Sequence, residues 1–302
     1  MNILVAGGTG FIGSHVIDEL LQRTDSPKIL CLSRNPARGN RWGSRVEMVQ
    51  GDVKERASLE RATQGIDLVI HCVQFPNHPV ENQSRGWTYM EVDGQGTIRM
   101  VEACRKNSVK RFLYFSGAGT SPAKTQPWFQ AKVMAETSIQ QSSMEYVIFR
   151  PSWIYGPEDR SLNKFVFFTR YLPFIPVIGD GKGKVQPISV FDVAKVAAKA
   201  VDRPEATNRT FDLGGPEILT MDEILLTVQK VLGKKRPLLH HPIGFMKLVT
   251  SFMTVLPNPP LSPSAIDFIL MEEIVDSSEA KKVFGVTFER LEDGLRRYLQ
   301  SK

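Results

Sequence analysis

One stretch near the start of the chain, "NILVAGGTGFIGSHVIDELLQR", constrains the fold more than any other. A short apolar run from Ile3 to Ala6 reads as a strand, and Gly7, Gly8, Gly10 and Gly13 make a turn. Phe11, Ile12, Val16, Leu20 and Leu21 then recur at helical spacing. The spacing Gly7-x-x-Gly10-x-x-Gly13 supplies a tight turn, a side-chain-free approach for a pyrophosphate, and close packing of helix on strand. The helix N-terminus then points at the phosphates. A glycine motif alone is a weak sign, but between a strand and a helix it predicts a dinucleotide cradle of Gly7, Thr9, Gly10, Phe11, Ile12 and Gly13.

The next strand, "KILCLSR", ends at Arg34, where such a fold meets the adenosine ribose. An acidic residue there would accept from a ribose hydroxyl. Arg34 instead offers a planar cation suited to a 2′-phosphate, with Arg38 and Arg41 close behind. NADP(H) is therefore preferred, with NAD(H) the alternative; solvated loop arginines are the plain reading.

Strand and helix alternate onward through "RVEMVQGDV", "IDLVIHCVQ", "GQGTIRMVEACRKN", "VKRFLYFSG", a helix holding Lys132, and "MEYVIFRPS". Near-continuous apolar strands spaced by helices predict an α/β protein, a doubly wound parallel sheet (Rossmann fold) covered on both faces. Asp52 and Val53 fall at the adenine edge. His71, at a buried strand end, reads as a satisfied core histidine.

Composition narrows the function classes. With 302 residues, 42% hydrophobic and 23% charged, the chain can bury a large core. No window reaches the length of a membrane span, and the opening strand leaves no signal core, so a cytoplasmic protein is expected. Cys31, Cys72 and Cys104 sit singly, which points to buried thiols over disulfides or metal. A net charge of +6 raises nucleic acid as a partner, but the cations are scattered and no aromatic-interleaved basic run occurs. An anionic cofactor accounts for part of the excess.

Together, "GGTGFIG", "GDV", Ser116, Lys132, "RPSWIYGP", "VQPISVFDVAKVAAKA" and "FDLGGPEILTMDEI" make the chain resemble the short-chain dehydrogenase/reductase superfamily in its extended or atypical form. It looks most like the atypical branch that includes the nucleotide-binding accessory subunit of mitochondrial complex I and bacterial relatives. The resemblance implies that Lys132 holds the nicotinamide ribose and that Ser116 binds a substrate oxygen. It also puts Cys72, Val73, Pro151 and Ser152 beside the cofactor. The proton-handling tyrosine of active members falls at Trp128, whose indole N–H is a donor only and cannot act as a general acid/base. Asp93 stands where extended members usually carry asparagine.

Trp128 then walls the pocket and donates to a bound molecule, or packs at a domain seam. Arg150, Arg160 and Asn163 form a candidate substrate cluster, with Arg150 equally placed to anchor a turn. Tyr155, in "RPSWIYGP", is the candidate phenol to replace the missing one.

The organisation expected is a dinucleotide-binding core over residues 1–150, completed by about 184–215. Residues 151–183 and 216–302 then form a smaller, mainly helical lobe for substrate or partner. Asp192 reads as a helix cap. In "GFMKLVTSFMTVLPNPPLSP" the residues Phe245, Leu248, Val249, Phe252, Met253 and Leu256 share one helical face, as core, as a lid, or as a docking surface for a membrane or partner. Two functions follow. One is an NADP(H)-dependent oxidoreductase or isomerase on a small, partly apolar carbonyl or alcohol. The other is a non-catalytic, NADPH-binding structural or redox-sensing subunit peripheral to a membrane enzyme or assembly.

Overall fold

Alternation within each strand decides the layers. Ile3 and Val5 enter one apolar cluster while Leu4 and Ala6 enter the other, so both faces of the first strand are buried. The computed structural model describes residues 1–36, 40–253, 261–272 and 274–300. Strands β1 (Asn2–Ala6), β2 (Lys28–Ser33), β3 (Val46–Gln50), β4 (Leu68–His71), β5 (Arg111–Phe115) and β6 (Glu145–Pro151) are followed by the short β7 (Ile154–Tyr155), β8 (Ile175–Ile178), β9 (Lys184–Val185) and β10 (Ile188–Ser189). After these come β11 (Arg209–Leu213), β12 (Leu219–Thr220) and β13 (Leu238–His241). Seven of them make one parallel sheet in the order β11-β6-β5-β4-β1-β2-β3. The order reverses between β1 and β4, and a crevice at that switch point is where such sheets take ligands.

Helices α1 (Phe11–Leu20), α2 (Arg56–Ala62), α3 (Gly96–Lys106) and α4 (Pro127–Gln140) precede α5 (Leu162–Tyr171) and α6 (Val190–Ala200). The apolar sides of α1 and α6 (Val16, Ile17, Leu20, Val193, Ala197) cover one sheet face. Those of α2, α3 and α4 (Leu59, Met100, Val101, Ala135, Ile139) cover the other. Ahead of α3 the chain runs as a wide π-helical turn over Tyr89–Gln95, started by the Thr88 side chain accepting from the Glu91 N–H. Such turns concentrate at functional sites, and this one carries Asp93. The three cysteines are free thiols, two of them buried.

The lobe adds α7 (Met221–Leu232), α8 (Ile243–Met253), α9 (Pro263–Ile269), α10 (Ser278–Phe284) and α11 (Leu291–Leu299). A capping box of Thr220 and Glu223 starts α7. Tyr155, Leu162, Ile224, Val228, Leu291 and Leu295 form the lobe's own apolar centre.

Two sequence expectations change here. The cap of α6 is Ser189, whose hydroxyl accepts from the Phe191 N–H, while Asp192 reaches across to the Glu289 N–H at 2.8 Å. On α8 the expected core or lid is open to solvent at Phe245, Leu248 and Phe252. Leu256 and the Met253 side chain lie outside what is described.

Candidate cofactor and ligand site

The glycine turn is shaped by close contacts. Gly7 has a φ of 80°, and a Cβ there would sit 2.9 Å from the Cys72 carbonyl oxygen. A Cβ on Gly13 would lie 2.3 Å from the Gly7 oxygen, so the helix can approach the turn only with glycine at that position. The Gly10 N–H closes the turn on the Gly7 carbonyl at 2.9 Å. Gly10 also caps α1 with no side chain on the helix's first N–H groups, which leaves those donors for an anion. Thr9 and Gly10 are exposed, and Phe11 and Ile12 half-buried, along the same rim. This side-chain-free cradle with open donors fits a pyrophosphate.

Around it, Cys72 and Val73 follow β4 directly, with the Cys72 N–H bonded to the Ala6 carbonyl at 2.8 Å. Burial holds the Cys72 thiol well above its ordinary pKa, so it is no thiolate nucleophile. Val53 is buried, while Asp52 accepts the Lys54 N–H at 2.9 Å and shapes the turn after β3. Arg34 is exposed at the end of β2 with no ion pair to the described residues. Arg38 lies outside the described residues. Arg41 is committed elsewhere, paired with Asp18 and 3.8 Å from Glu158, so it does not share Arg34's freedom.

Deeper in the crevice, α4 brings Lys132 to the end of β5. Its ammonium donates to the Phe115 carbonyl at 3.2 Å, lies 3.5 Å from Asp93 Oδ1, and stands 5.2 Å from the centre of the Tyr114 ring. Asp93 is fully buried; its Oδ2 accepts the Phe75 N–H at 3.3 Å. Burial, partly offset by Lys132, raises its carboxyl to about 6. For Lys132, burial works against the charge, but Tyr114 and Asp93 outweigh it and its pKa lies above the ordinary lysine value. Ser116 ends β5 with its hydroxyl 3.4 Å from that of Thr120.

Beneath them sits His71, fully buried. Thr97 gives its one hydroxyl proton to the Asp93 carbonyl at 2.6 Å, so it accepts from His71 Nε2 at 3.1 Å and leaves Nδ1 a bare acceptor. Burial, with Lys132 adding, pushes His71 down to about 3. It is a neutral core histidine, satisfied at one nitrogen only.

Trp128 faces this group with its indole N–H buried and unpartnered among the described residues. Its ring lies 6.0 Å from Tyr89 and 5.5 Å, edge to face, from Phe268 of α9. Phe75 and His78 close the same aromatic cluster, His78 standing 4.7 Å from Phe268. Burial, with Lys132 adding, lowers His78 to about 3, so it too is neutral. The Tyr89 hydroxyl is buried without a partner among the described residues. Sequence reasoning missed Phe75, His78, Tyr89 and Phe268. "QFPNHP" carried a turn signal, but nothing in "AIDFIL" announced that Phe268 folds back over α4.

Most of the remaining candidates are engaged in contacts of their own. Tyr155 is 1% exposed inside the lobe, its hydroxyl 3.4 Å from the Arg290 carbonyl, and it cannot stand in for the missing phenol. Arg150 grips Glu136 through two bonds, at 2.9 and 2.5 Å, and so ties β6 to α4 rather than reaching a substrate. Asn163 spends its amide on the carbonyls of Gly156, Pro157 and Asp159 and accepts from Tyr298, a loop clasp with nothing left for a ligand. Arg160 is exposed and unpaired among the described residues. Ser152 is buried with its hydroxyl on the Gln186 carbonyl, while Pro151 is buried and takes the Ala118 N–H at 2.9 Å.

A doubly wound sheet, an open glycine turn at its switch point and a lysine on the neighbouring helix define a dinucleotide-binding protein of the short-chain dehydrogenase/reductase type. The chain belongs to the NAD dependent epimerase/dehydratase family, whose profile matches residues 3–214. Photosystem II assembly factor Ycf39 of Trieres chinensis is 27% identical over 83% of this chain and 75% of its own length. NAD(P)H azoreductase of Xenophilus azovorans is 28% identical over 77% of this chain and 74% of that protein. The mitochondrial NADH dehydrogenase (ubiquinone) 1 alpha subcomplex subunit 9 of Arabidopsis thaliana is 25% identical over 73% of this chain, which spans only 55% of that subunit. In fold the chain is like UDP-glucose 4-epimerase of Thermotoga maritima, with a TM-score of 0.78 at 19% identity, covering 100% of this chain and 99% of that one.

Proposed function

We propose that the protein binds NADP(H) without the superfamily's phenol proton relay, and that it uses the bound nucleotide as a structural or redox-reporting element beside a membrane-associated assembly. The observation that carries this reading is Trp128 in the tyrosine position with Lys132 drawn onto Asp93. Gly7, Gly10 and Gly13 would take the pyrophosphate, Arg34 a 2′-phosphate, and Lys132 the nicotinamide ribose hydroxyls. Bound there, the cofactor supplies hydride chemistry. An indole cannot pass a proton in either direction, and both histidines near Lys132 are held neutral, so neither Trp128 nor His71 nor His78 supplies the family's acid/base step. Relatives named as a photosystem II assembly factor and an NADH dehydrogenase subunit support the placement beside a membrane-bound complex.

One set of observations favours a second reading. The unpartnered donors of Trp128 and Tyr89 lie in an aromatic cluster that would suit a flat acceptor ring, and one relative is named an NAD(P)H azoreductase. Hydride transfer to such a ring could draw its proton from water. The experiment is NADPH fluorescence in the presence of quinone and azo acceptors, with wild type and Lys132→Ala compared. Retention of NADPH with no acceptor-dependent oxidation is expected. Acceptor-dependent oxidation that Lys132→Ala abolishes would establish the second reading and reject the first.

A further inference from the structure

We propose that one end of the lobe, built from α8 and the β8–β13 pair, rests directly on an anionic lipid surface. The inference deepens the membrane-side placement above and concerns only its docking element, not the nucleotide.

Phe245, Leu248 and Phe252 stand at i, i+3 and i+7 on α8, so they share one helical face, and they are 54%, 58% and 74% exposed. The other side of α8 is used: Thr250 is buried, and Lys247 pairs with Asp267 of α9 at 2.6 Å. The apolar face is therefore left uncovered by the described residues. At α8's N-terminal end the parallel pair β8–β13 continues the surface, tied by the Gly179 N–H to the His241 carbonyl at 2.9 Å. Beside that pair, Phe167 and Tyr171 at the end of α5 lie with their rings 4.9 Å apart and tilted, and both are exposed. The Arg236 guanidinium, 3.4 Å from the Thr169 carbonyl, joins α5 to the approach of β13.

Charge selects the occupant. Residues 160–174 and 233–253 contain no Asp or Glu, and of the acids that reach this end from outside those segments, Asp222 is held by His240 and Asp267 by Lys247, while Asp180 is exposed just past β8. Lys164, Arg170, Lys234 and Lys235 in these segments are exposed and unpaired among the described residues. Aromatic and aliphatic side chains flanked by an excess of unpaired cations are the pattern of an interfacial element on anionic lipid. A second copy of the chain would bring like charges together. The described part of α8, 11 residues at about 1.5 Å each, reaches roughly half of the ~30 Å hydrocarbon layer, too short to span it. The helix would lie along the interface with Phe245, Leu248 and Phe252 inserted.

The test is sedimentation of the full chain with vesicles of phosphatidylcholine alone, and of phosphatidylcholine with phosphatidylglycerol. Binding to the anionic vesicles, weakened by high salt, is expected. Phe245→Ser/Phe252→Ser and Lys234→Glu/Lys235→Glu should each cut the bound fraction several-fold while the thermal midpoint in solution stays unchanged, because all four side chains are exposed. No recovery with anionic vesicles, equal recovery with neutral ones, or full binding by both variants would overturn the proposal; the first result would leave an acidic protein as the occupant. NADPH stabilisation measured on the same preparation keeps the two ideas apart. Vesicle failure with that stabilisation intact sinks the lipid surface alone, and the reverse result sinks the cofactor reading alone.

Discussion

At position 128 an indole replaces a phenol, and the loss is chemical rather than steric. Trp128 still fills the pocket wall and still offers one N–H donor, unpartnered among the described residues, but that N–H does not ionise in the range where a general acid or base works. The charge it no longer meets is carried by the buried Lys132–Asp93 pair, which yields a pH signature. The Asp93 carboxyl rises from 3.8 to about 6 on folding. Between those values the folded state holds a proton that the unfolded chain has lost, so this group's contribution to stability falls as pH rises through the window. His71 and His78 slope the opposite way but are common to wild type and Asp93→Asn, so comparison of the two isolates Asp93. Urea unfolding should show wild type losing up to about 3 kcal/mol relative to Asp93→Asn between about pH 4 and pH 6; parallel curves would contradict the assignment. At this scale the sequence was legible where spacing is short. Gly7 to Gly13, Ser116 and Lys132 each stand at a strand end or on the helix beside it. Tyr155 misled because it follows β6 closely in sequence, yet the chain has already turned into the lobe there, and only packing against α11 reveals it.

Among the elements, the attachment of α4 matters most, since that helix carries both Trp128 and Lys132. Arg150 on β6 and Glu136 on α4 form the bond that fixes it, with Glu136 only 5% exposed. Removing the arginine leaves a buried carboxylate unpaired. Arg150→Ala should therefore cost about 2 kcal/mol in denaturant unfolding, discounted from a fully buried pair because the arginine is part-exposed. NADPH affinity should hold within about twofold, since the helix keeps its apolar contacts. A large affinity loss at unchanged stability would return Arg150 to ligand binding. Strands and helices of the sheet were readable because their apolar periods differ, 2 against 3.6. Caps and lids were not. Ser189 rather than Asp192 caps α6 because the choice depends on backbone entry into the helix. Phe268 rather than the α8 face closes over Trp128 because that contact joins segments far apart in sequence.

For the whole molecule, the sheet order sets one crevice and the lobe sets what faces away from it. A chain with net charge +6 keeps cations unpaired among the described residues at both places, Arg34 at the end of β2 and Lys164, Arg170, Lys234 and Lys235 at the end of the lobe. The first is a candidate for a nucleotide phosphate and the second for a lipid one. The parallel architecture could be read from the sequence; the direction in which the lobe presents its aromatic residues could not, because an amphipathic face looks the same whether a core or solvent covers it. The account stands or falls on the nucleotide. Thermal unfolding followed during titration with NADPH and with NADH, on wild type and Arg34→Ala, tests it most directly. At about 100 times its Kd, NADPH should stabilise wild type by ~2.7 kcal/mol. NADH should need a higher concentration for the same shift, and Arg34→Ala should weaken NADPH about tenfold while leaving NADH unchanged. An unchanged midpoint with both nucleotides up to millimolar concentration would contradict the cradle from Gly7 to Gly13, and everything built on it.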